Sequence, residues 1–383
     1  MAGTRAIVIG GGIGGLAAGL ALRRAGIDAV VFERSPEIGR LGSGLFLWTN
    51  GVRALQELGI GERVEAMGTT VERFQYLSPS GKVLFEWPVG ELGRRTGAPS
   101  VGVRRPELQS LLAEEVGDAL HLGAQCVGFA EEDDGVTVRF ADGREERGDV
   151  LIGADGFDSV VATELGLQTE PRYGGYATWR GVVELAHDNA PPGRARQHVG
   201  HERQCLFLHV GRGRVYWAAS QPTAEGELGP KTGLKEWLLA PYREFPEPVA
   251  ALIEATDEAS IRASGIYDRE PKTTWGAGRA TLLGDAAHPM LPTQGQGACQ
   301  ALEDAVVLAK CLAAAVDPAE GLREYERRRI PRATQFVEGS REVARRGQVK
   351  SPIARLIRPL IFKRIMGRMR AQREELLEAD VLS

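Results

Sequence analysis

The chain opens on a turn that few folds can accommodate. A short apolar run, Ala6 to Ile9, leads into Gly10-x-Gly12-x-x-Gly15, a small-residue stretch from Leu16 to Ala25 closed by Gly26, and a second apolar run from Ala29 to Glu33. A brief run of Ile and Val ending in glycine reads as a strand buried on both faces. The stretch after it reads as a helix ended by a C-terminal glycine. Strand, helix and strand fit a β-α-β unit of about 30 residues. In such a unit the first glycine permits the tight turn, the second lets a pyrophosphate approach the backbone, and the third lets helix and strand pack closely. The helix N-terminus offers free N–H groups and a partial positive charge. Glu33, 18 residues beyond Gly15, is placed to accept hydrogen bonds from a ribose diol. Gly10, Gly12, Ile13, Gly14, Gly15, Glu33 and Arg34 are therefore candidate dinucleotide-binding residues. A glycine-rich turn without a ligand is the alternative.

Further along, Arg73–Tyr76 and Lys82–Glu86 flank Ser78-Pro79-Ser80-Gly81 as a hairpin, and Pro106 opens a helix with Leu108, Leu111 and Leu112 on one face. Asp149 to Ile152 reads as another buried strand. From Tyr173 to about Tyr267, alternating strands carry aromatics, among them Thr178–Glu184, Gln204–Val210 and Arg214–Ser220. The chain then returns to Leu282-Leu283-Gly284-Asp285 and a long helix from about Gly297 to Ala314. The fold class predicted is α/β: a Rossmann-like nucleotide-binding domain with an inserted antiparallel β-sheet and C-terminal helices. At 383 residues the length suits two interlocked domains.

Several function classes fall away. A net charge of −4 gives no electrostatic pull toward nucleic acid. Cys126, Cys205, Cys299 and Cys311 are far apart with no CxxC pair, against a disulfide framework, an iron–sulfur centre or zinc. His198 and His201 have helical ligand spacing but lie in strand and turn, so no metal is expected. The N-terminus has no signal-peptide pattern and no apolar run is long enough to span a membrane, so a cytoplasmic protein is expected.

Two later motifs narrow the ligand. Gly153-Ala154-Asp155-Gly156 follows a buried strand. Gly284-Asp285-Ala286-Ala287-His288-Pro289 follows another, with Pro292-Thr293-Gln294-Gly295-Gln296-Gly297 after it. An aspartate at a strand end can hold a sugar hydroxyl, and a glycine turn opening a helix can present N–H groups to an electron-rich ring edge. In this order the motifs resemble the class A flavoprotein monooxygenases of the para-hydroxybenzoate hydroxylase fold. The look is nearest to the salicylate-hydroxylase-like and urate-hydroxylase-like branch, through Gly42 to Gly51 and Arg172 to Glu184.

That resemblance implies FAD as cofactor and NAD(P)H as a transient co-substrate, since there is only one GxGxxG. It implies FAD contacts at the residues above and at Arg40, Gly44, Leu45, Arg105, Gln109, Asp155, Gly284, Asp285, Pro292, Gly295, Gln296, Gly297 and Ala298. It assigns 1–72, 99–171 and 272–340 to the FAD-binding domain, 73–98 and 172–271 to the substrate sheet, and 341–383 to a helical tail. The implied reaction is hydroxylation of a small aromatic or heteroaromatic substrate by O2 through a flavin C4a-hydroperoxide. An epoxidase, dehydrogenase or reductase of the same fold acting on a more apolar substrate is the alternative. Gln204 stands where urate-type members carry an arginine. Candidate catalytic residues are Tyr216, His209, Gln204 and Pro292. Candidate substrate contacts are Leu47, Trp48, Trp179, Phe207, Tyr216 and Ala218, although strand alternation turns about half of such a set away. His288 reads as framework for the flavin loop. A monomer or homodimer is expected.

The tail from Arg341 to Arg373 holds eleven Lys or Arg against one acid, Glu342, with Ile353, Leu356, Ile357, Leu360, Ile361, Ile365 and Met369 at helical spacing. It reads as helices packed on the body with a solvated basic face, or as a segment that touches an anionic surface or admits an apolar substrate.

Overall fold

A computed structural model of the chain describes residues 4–39, 43–200, 202–347 and 352–382. Its first layer is a six-stranded sheet in the order Gly276–Ala277, Ala280–Leu282, Val150–Gly153, Arg5–Ile9, Asp28–Glu33 and Leu120–Leu122. All its pairings are parallel except the first. Ala6, Ile7 and Val8 are fully buried because both faces of this central strand are covered. On one side lie the helices Ile13–Arg24 and Gly297–Ala314, with Gly19 pressed against Val31. On the other lies a three-stranded meander, Cys126–Glu132, Gly135–Phe140 and Glu145–Gly148, with the Phe140 ring tilted against Phe32 at 4.6 Å between centroids.

The second layer is a seven-stranded sheet, in the order Arg262–Asp268, Arg172–Glu184, Arg214–Pro222, Gln204–His209, Arg194–Val199, Arg73–Leu77 and Val83–Trp87. The hairpin read at 73–86 thus forms one edge of it. The sheet is not purely antiparallel as expected: Arg194–Val199 runs parallel to Arg73–Leu77, pairing Ala195 with Phe74. Its outer face is sealed by the helices Leu234–Tyr242 and Val249–Ala255 around Trp179, Phe207, Trp217 and Tyr242. Its inner face looks back toward the first layer.

Between the layers sits a small sheet of Gly44–Leu47, Ser100–Arg104 and Thr69–Val71. The helix Arg105–Val116 starts directly after its middle strand, with Pro106 in its first turn. The helix Pro318–Gly347 buries Tyr325, Arg329 and Phe336 against Gly297–Ala314. The helix Pro352–Glu378 closes the molecule, tied down by Trp87 Nε1 to Glu374 at 2.7 Å and by Arg332 Nη1 to the Leu376 carbonyl at 2.7 Å. Among the described residues no helix is long and apolar enough to cross a membrane, and no group of three or more His, Cys, Asp or Glu could hold a metal ion.

Candidate active site: two helix N-termini beneath a roofed crevice

The opening turn is built from close backbone approaches. A Cβ on Gly10, whose φ is +115°, would run into the Ala154 carbonyl, and one on Gly15 would run into the carbonyl of Gly10. Around Gly12 the space is open, on the side from which a diphosphate would approach. The helix Ile13–Arg24 has no side-chain cap, so its first N–H groups are left for a ligand. Glu33 fixes the turn: Oε2 accepts from Gly11 N at 2.5 Å and Oε1 from Ser35 N at 2.8 Å. Gln109 donates to the Gly11 carbonyl at 2.7 Å, so it braces the same turn. Arg34 and Arg105 are exposed at the rim, and Arg40 lies outside the described residues, as do Gly42 and His201. Asp155 lies directly behind Gly10, but its carboxylate accepts from Val160 N at 2.7 Å, Val161 N and Ser159 Oγ, at the start of the helix Val160–Glu164.

The late loop meets this turn. The Cβ position of Gly14 lies 2.8 Å from Leu283 Cδ2 and 3.2 Å from Ala301 Cβ, so the first turns of the two helices are in contact. Gly284 has φ +63° and sends its N–H to Asp304 at 3.1 Å. That bend leaves Asp285 exposed beside the start of Gly297–Ala314, its Oδ1 3.9 Å from the Cβ position of Gly297. Pro292 is exposed, Gly295 turns with φ +62°, and Gly297 and Ala298 are half-buried at the helix start. The Gln296 side chain is turned inward and accepts from Asn50 and Gln300, each at 3.0 Å, which leaves only its backbone for a ligand.

Behind the loop is a buried ionic cluster that the sequence reading missed. Asp304 accepts from His288 Nε2, Arg329 Nε and Gly284 N; Glu303 accepts from Arg329, Arg332 and Asn50, with distances of 2.6 to 3.1 Å across these contacts. Burial alone would raise the Asp304 carboxyl, but His288 and Arg329 outweigh it and hold it below the usual range. His288, read from its motif as loop framework, bonds Asp304, which also accepts from Gly284 N. Cys299 is fully buried against Gly51, and burial pushes its thiol up to about 12.

Between loop and sheet runs a crevice of about 1610 Å³. Its roof is the inner face of the seven-stranded sheet: Thr178, Arg180, Gln204, Leu206, Tyr216 and Ala218. Phe46 and Trp48 come from the end of the strand Gly44–Leu47 and the residue after it, and Pro292 to Gly295 form one end. The Tyr216 ring packs directly on Gly44, where no Cβ would fit, and Leu45 points the other way into the core. Burial raises the Tyr216 hydroxyl, opposed by a hydrogen bond to Arg180. Gln204 accepts from Gln197 at 2.6 Å. The Tyr176 hydroxyl is buried without a hydrogen-bond partner.

Four expected pocket residues are elsewhere. Trp179, Phe207 and His209 lie on the outer face of the sheet, where His209 Nε2 meets the Ala190 carbonyl at 2.6 Å. Leu47 is fully buried in the core. The reason is alternation: Tyr216 and Ala218 face inward, so Trp217 and its cross-strand partner Phe207 face outward. The same register gives away what was overlooked, since Ala218 pairs with Arg180 and Ser220 with Thr178. Phe74, Tyr76, Trp87 and Arg373 also line the crevice, from segments read only as hairpin and tail.

A family model described as an FAD binding domain matches residues 3–340. The chain is 39% identical over 362 residues to the aurachin C monooxygenase/isomerase of Stigmatella aurantiaca, covering 94% of each protein. It is 37% identical over 341 residues to an FAD-dependent urate hydroxylase of Klebsiella pneumoniae subsp. pneumoniae, covering 88% of this chain and 89% of that one. The solved structure of Klebsiella pneumoniae HpxO complexed with FAD and uric acid superposes with a TM-score of 0.91 at 34% identity, over 99% of this chain and 98% of that one. With its glycine turn, its exposed aspartate and the open crevice between them, the chain belongs to the FAD binding domain family, among the class A flavoprotein monooxygenases.

Proposed function

We propose that the protein oxidises NAD(P)H and inserts one atom of dioxygen into an aromatic or heteroaromatic substrate held in the crevice. The balance is one substrate C–H, O2, NAD(P)H and a proton giving the hydroxylated product, water and NAD(P)+. The observation that carries this reading is the contact between the Gly10–Gly15 turn and the Gly284–Gly297 loop, with the roofed crevice opening at that loop.

The residues present fit FAD. Gly12 and the uncapped helix start at Ile13 would take the diphosphate, and exposed Asp285 a ribityl hydroxyl. The N–H groups of Gly295 to Ala298 would face the ring edge. Bound there, FAD supplies electron transfer from NAD(P)H and the activation of dioxygen. The protein supplies the rest. Arg180 and Tyr216 orient a substrate oxygen: the guanidinium lowers the cost of negative charge on it, and the tyrosine hydroxyl, raised by burial, stays protonated as a donor. Phe46, Trp48 and Leu206 exclude water and hold a flat ring by its faces.

The apolar wall of Ile365, Met366 and Met369 on the C-terminal helix supports a second reading, in which the same fold epoxidises or dehydrogenates a more apolar molecule. One experiment separates them. The FAD-loaded protein is assayed for NAD(P)H oxidation across a substrate panel under labelled dioxygen. One labelled atom on an aromatic carbon is expected; product without label would overturn the reading in favour of dehydrogenation.

A further inference from the structure

The C-terminal helix brings an arginine into the crevice that nothing in the described structure neutralises. The guanidinium carbon of Arg373 lies 4.0 Å from the ring centroid of Trp48 and 5.6 Å from that of Trp87. Its Nη2 donates to the Gln294 carbonyl, which Trp48 Nε1 also reaches at 3.1 Å. Its Nε is buried with no hydrogen-bond partner. Among the described residues it makes no ion pair. The carboxylates that share the crevice are Glu202, Glu342 and Glu375; Glu342 is paired with Arg345 and Arg346, and among the described residues no ion pair joins Glu375 to Arg373. A guanidinium stacked on an indole uses its face and leaves its edge of N–H donors available. Leaving such a donor unpaired and buried is costly, and a planar anion repays it.

We propose that Arg373 is a substrate-recognition residue, binding through its guanidinium edge a carboxylate or enolate oxygen of an aromatic substrate whose ring lies against Met369. This deepens the monooxygenase reading, since it takes the crevice as the substrate site. Of the four arginines that line the crevice, Arg346 is paired with Glu342 and Arg370 with Glu374, which leaves Arg180 on the roof and Arg373 on the C-terminal helix without an ion pair among the described residues. Burial pulls the Arg373 pKa down to about 10, so the group is charged at neutral pH but held in surroundings that favour a counter-ion.

The test is calorimetric titration of the FAD-loaded protein with 2-naphthoate and with its neutral isostere 2-naphthamide. The intact chain should bind the anion at least about tenfold more tightly, as expected of one charge-assisted hydrogen bond. Arg373→Gln should cut that preference several-fold while leaving 2-naphthamide unchanged, and Arg373→Lys should retain part of it. No preference in the intact chain, or equal weakening of both ligands in Arg373→Gln, overturns the proposal. Should Arg373→Gln lose FAD or cooperative unfolding, Arg373→Lys decides alone: it must weaken 2-naphthoate several-fold and spare 2-naphthamide. Because binding needs no turnover, a naphthoate preference without labelled product would refute the reaction and leave this site standing.

Discussion

Replacing Arg329 by methionine removes the cation that holds the Gly284–Gly297 loop from behind. The side chain is 1% exposed and reaches Asp304 Oδ1 and Glu303 Oε2, each at 2.6 Å, and Gln300 Oε1 at 2.8 Å. Methionine fills most of the volume, so little cavity is added. Glu303 keeps Arg332 and Asn50, whereas Asp304 keeps only His288 and Gly284 N. One buried carboxylate, not two, is left under-compensated, which costs about 3–5 kcal/mol. At about 2.1 cal/mol/K per residue, 383 residues give a melting entropy near 0.8 kcal/mol/K, so about 4 kcal/mol lowers Tm by about 5 °C. The loss should also depend on pH. In the intact protein Asp304 is held low, so its contribution is present above its unfolded value and is lost as pH falls through the folded one. Without Arg329, only one of the two groups that oppose burial remains, His288, and the folded value moves up. The penalty is then full at high pH and shrinks as the carboxyl takes up its proton. Urea unfolding at pH 8 and pH 5 checks this, with flavin content measured alongside. A loss under about 1 kcal/mol, or one that grows toward pH 5, would refute the argument.

Gly15→Ala puts a methyl into the Gly10 carbonyl, so the turn must open; the flavin-to-protein ratio after gel filtration should fall at least about tenfold, and full occupancy would show that the turn is not the diphosphate seat. Tyr216→Phe keeps the ring on Gly44 but removes the hydroxyl bonded to Arg180; kcat should drop about 10- to 100-fold with Tm nearly unchanged, and unaltered turnover would reduce Tyr216 to a wall. His198 is 2% exposed and burial lowers its pKa to about 4. Between about pH 6.5 and that value the unfolded chain binds a proton the folded chain refuses, so acid costs up to about 3 kcal/mol. His198→Phe should flatten the difference in urea midpoints between pH 7 and pH 4.5; an unchanged slope would assign the acid sensitivity elsewhere.

The nucleotide-binding half was legible because its signals are local. Gly10, Gly15 and Gly284 stand where backbone approaches backbone, and only glycine fits, so their spacing encodes geometry directly. The substrate sheet was legible as strands but not as faces. Trp179 and Phe207 alternate as a pocket lining would, and nothing within those strands says which side is covered. The answer lies in Leu234–Tyr242 and Val249–Ala255, whose apolar residues claim the outer face. Arg329 was hidden for a similar reason. It sits in the run Arg327-Arg328-Arg329, and helical phase alone sends the third inward to Glu303 and Asp304 while Arg327 stays at the surface with Glu324.

The tail shows how a composition signal acquires meaning only from what it faces. Basic and apolar residues interleaved at helical spacing suit a solvated amphipathic face or a contact with some other surface equally well. Ile365, Met369 and Arg373 are four residues apart, hence on one side of the helix, and that side closes the crevice. The interleaving is therefore that of a wall with an apolar stretch and a charged end. Such a wall matches a ligand that is itself an apolar ring with an anionic edge, and it disfavours a small, uniformly polar heterocycle, which would leave Met366 and Met369 wet. On the proposal made for Arg373, specificity would rest partly on a segment outside the matched residues 3–340. Exchanging Met369→Gln should weaken 2-naphthoate several-fold while acetate, which has no ring to lie against that stretch, is unaffected; equal effects on both ligands would mean that the helix closes the crevice without reading the substrate.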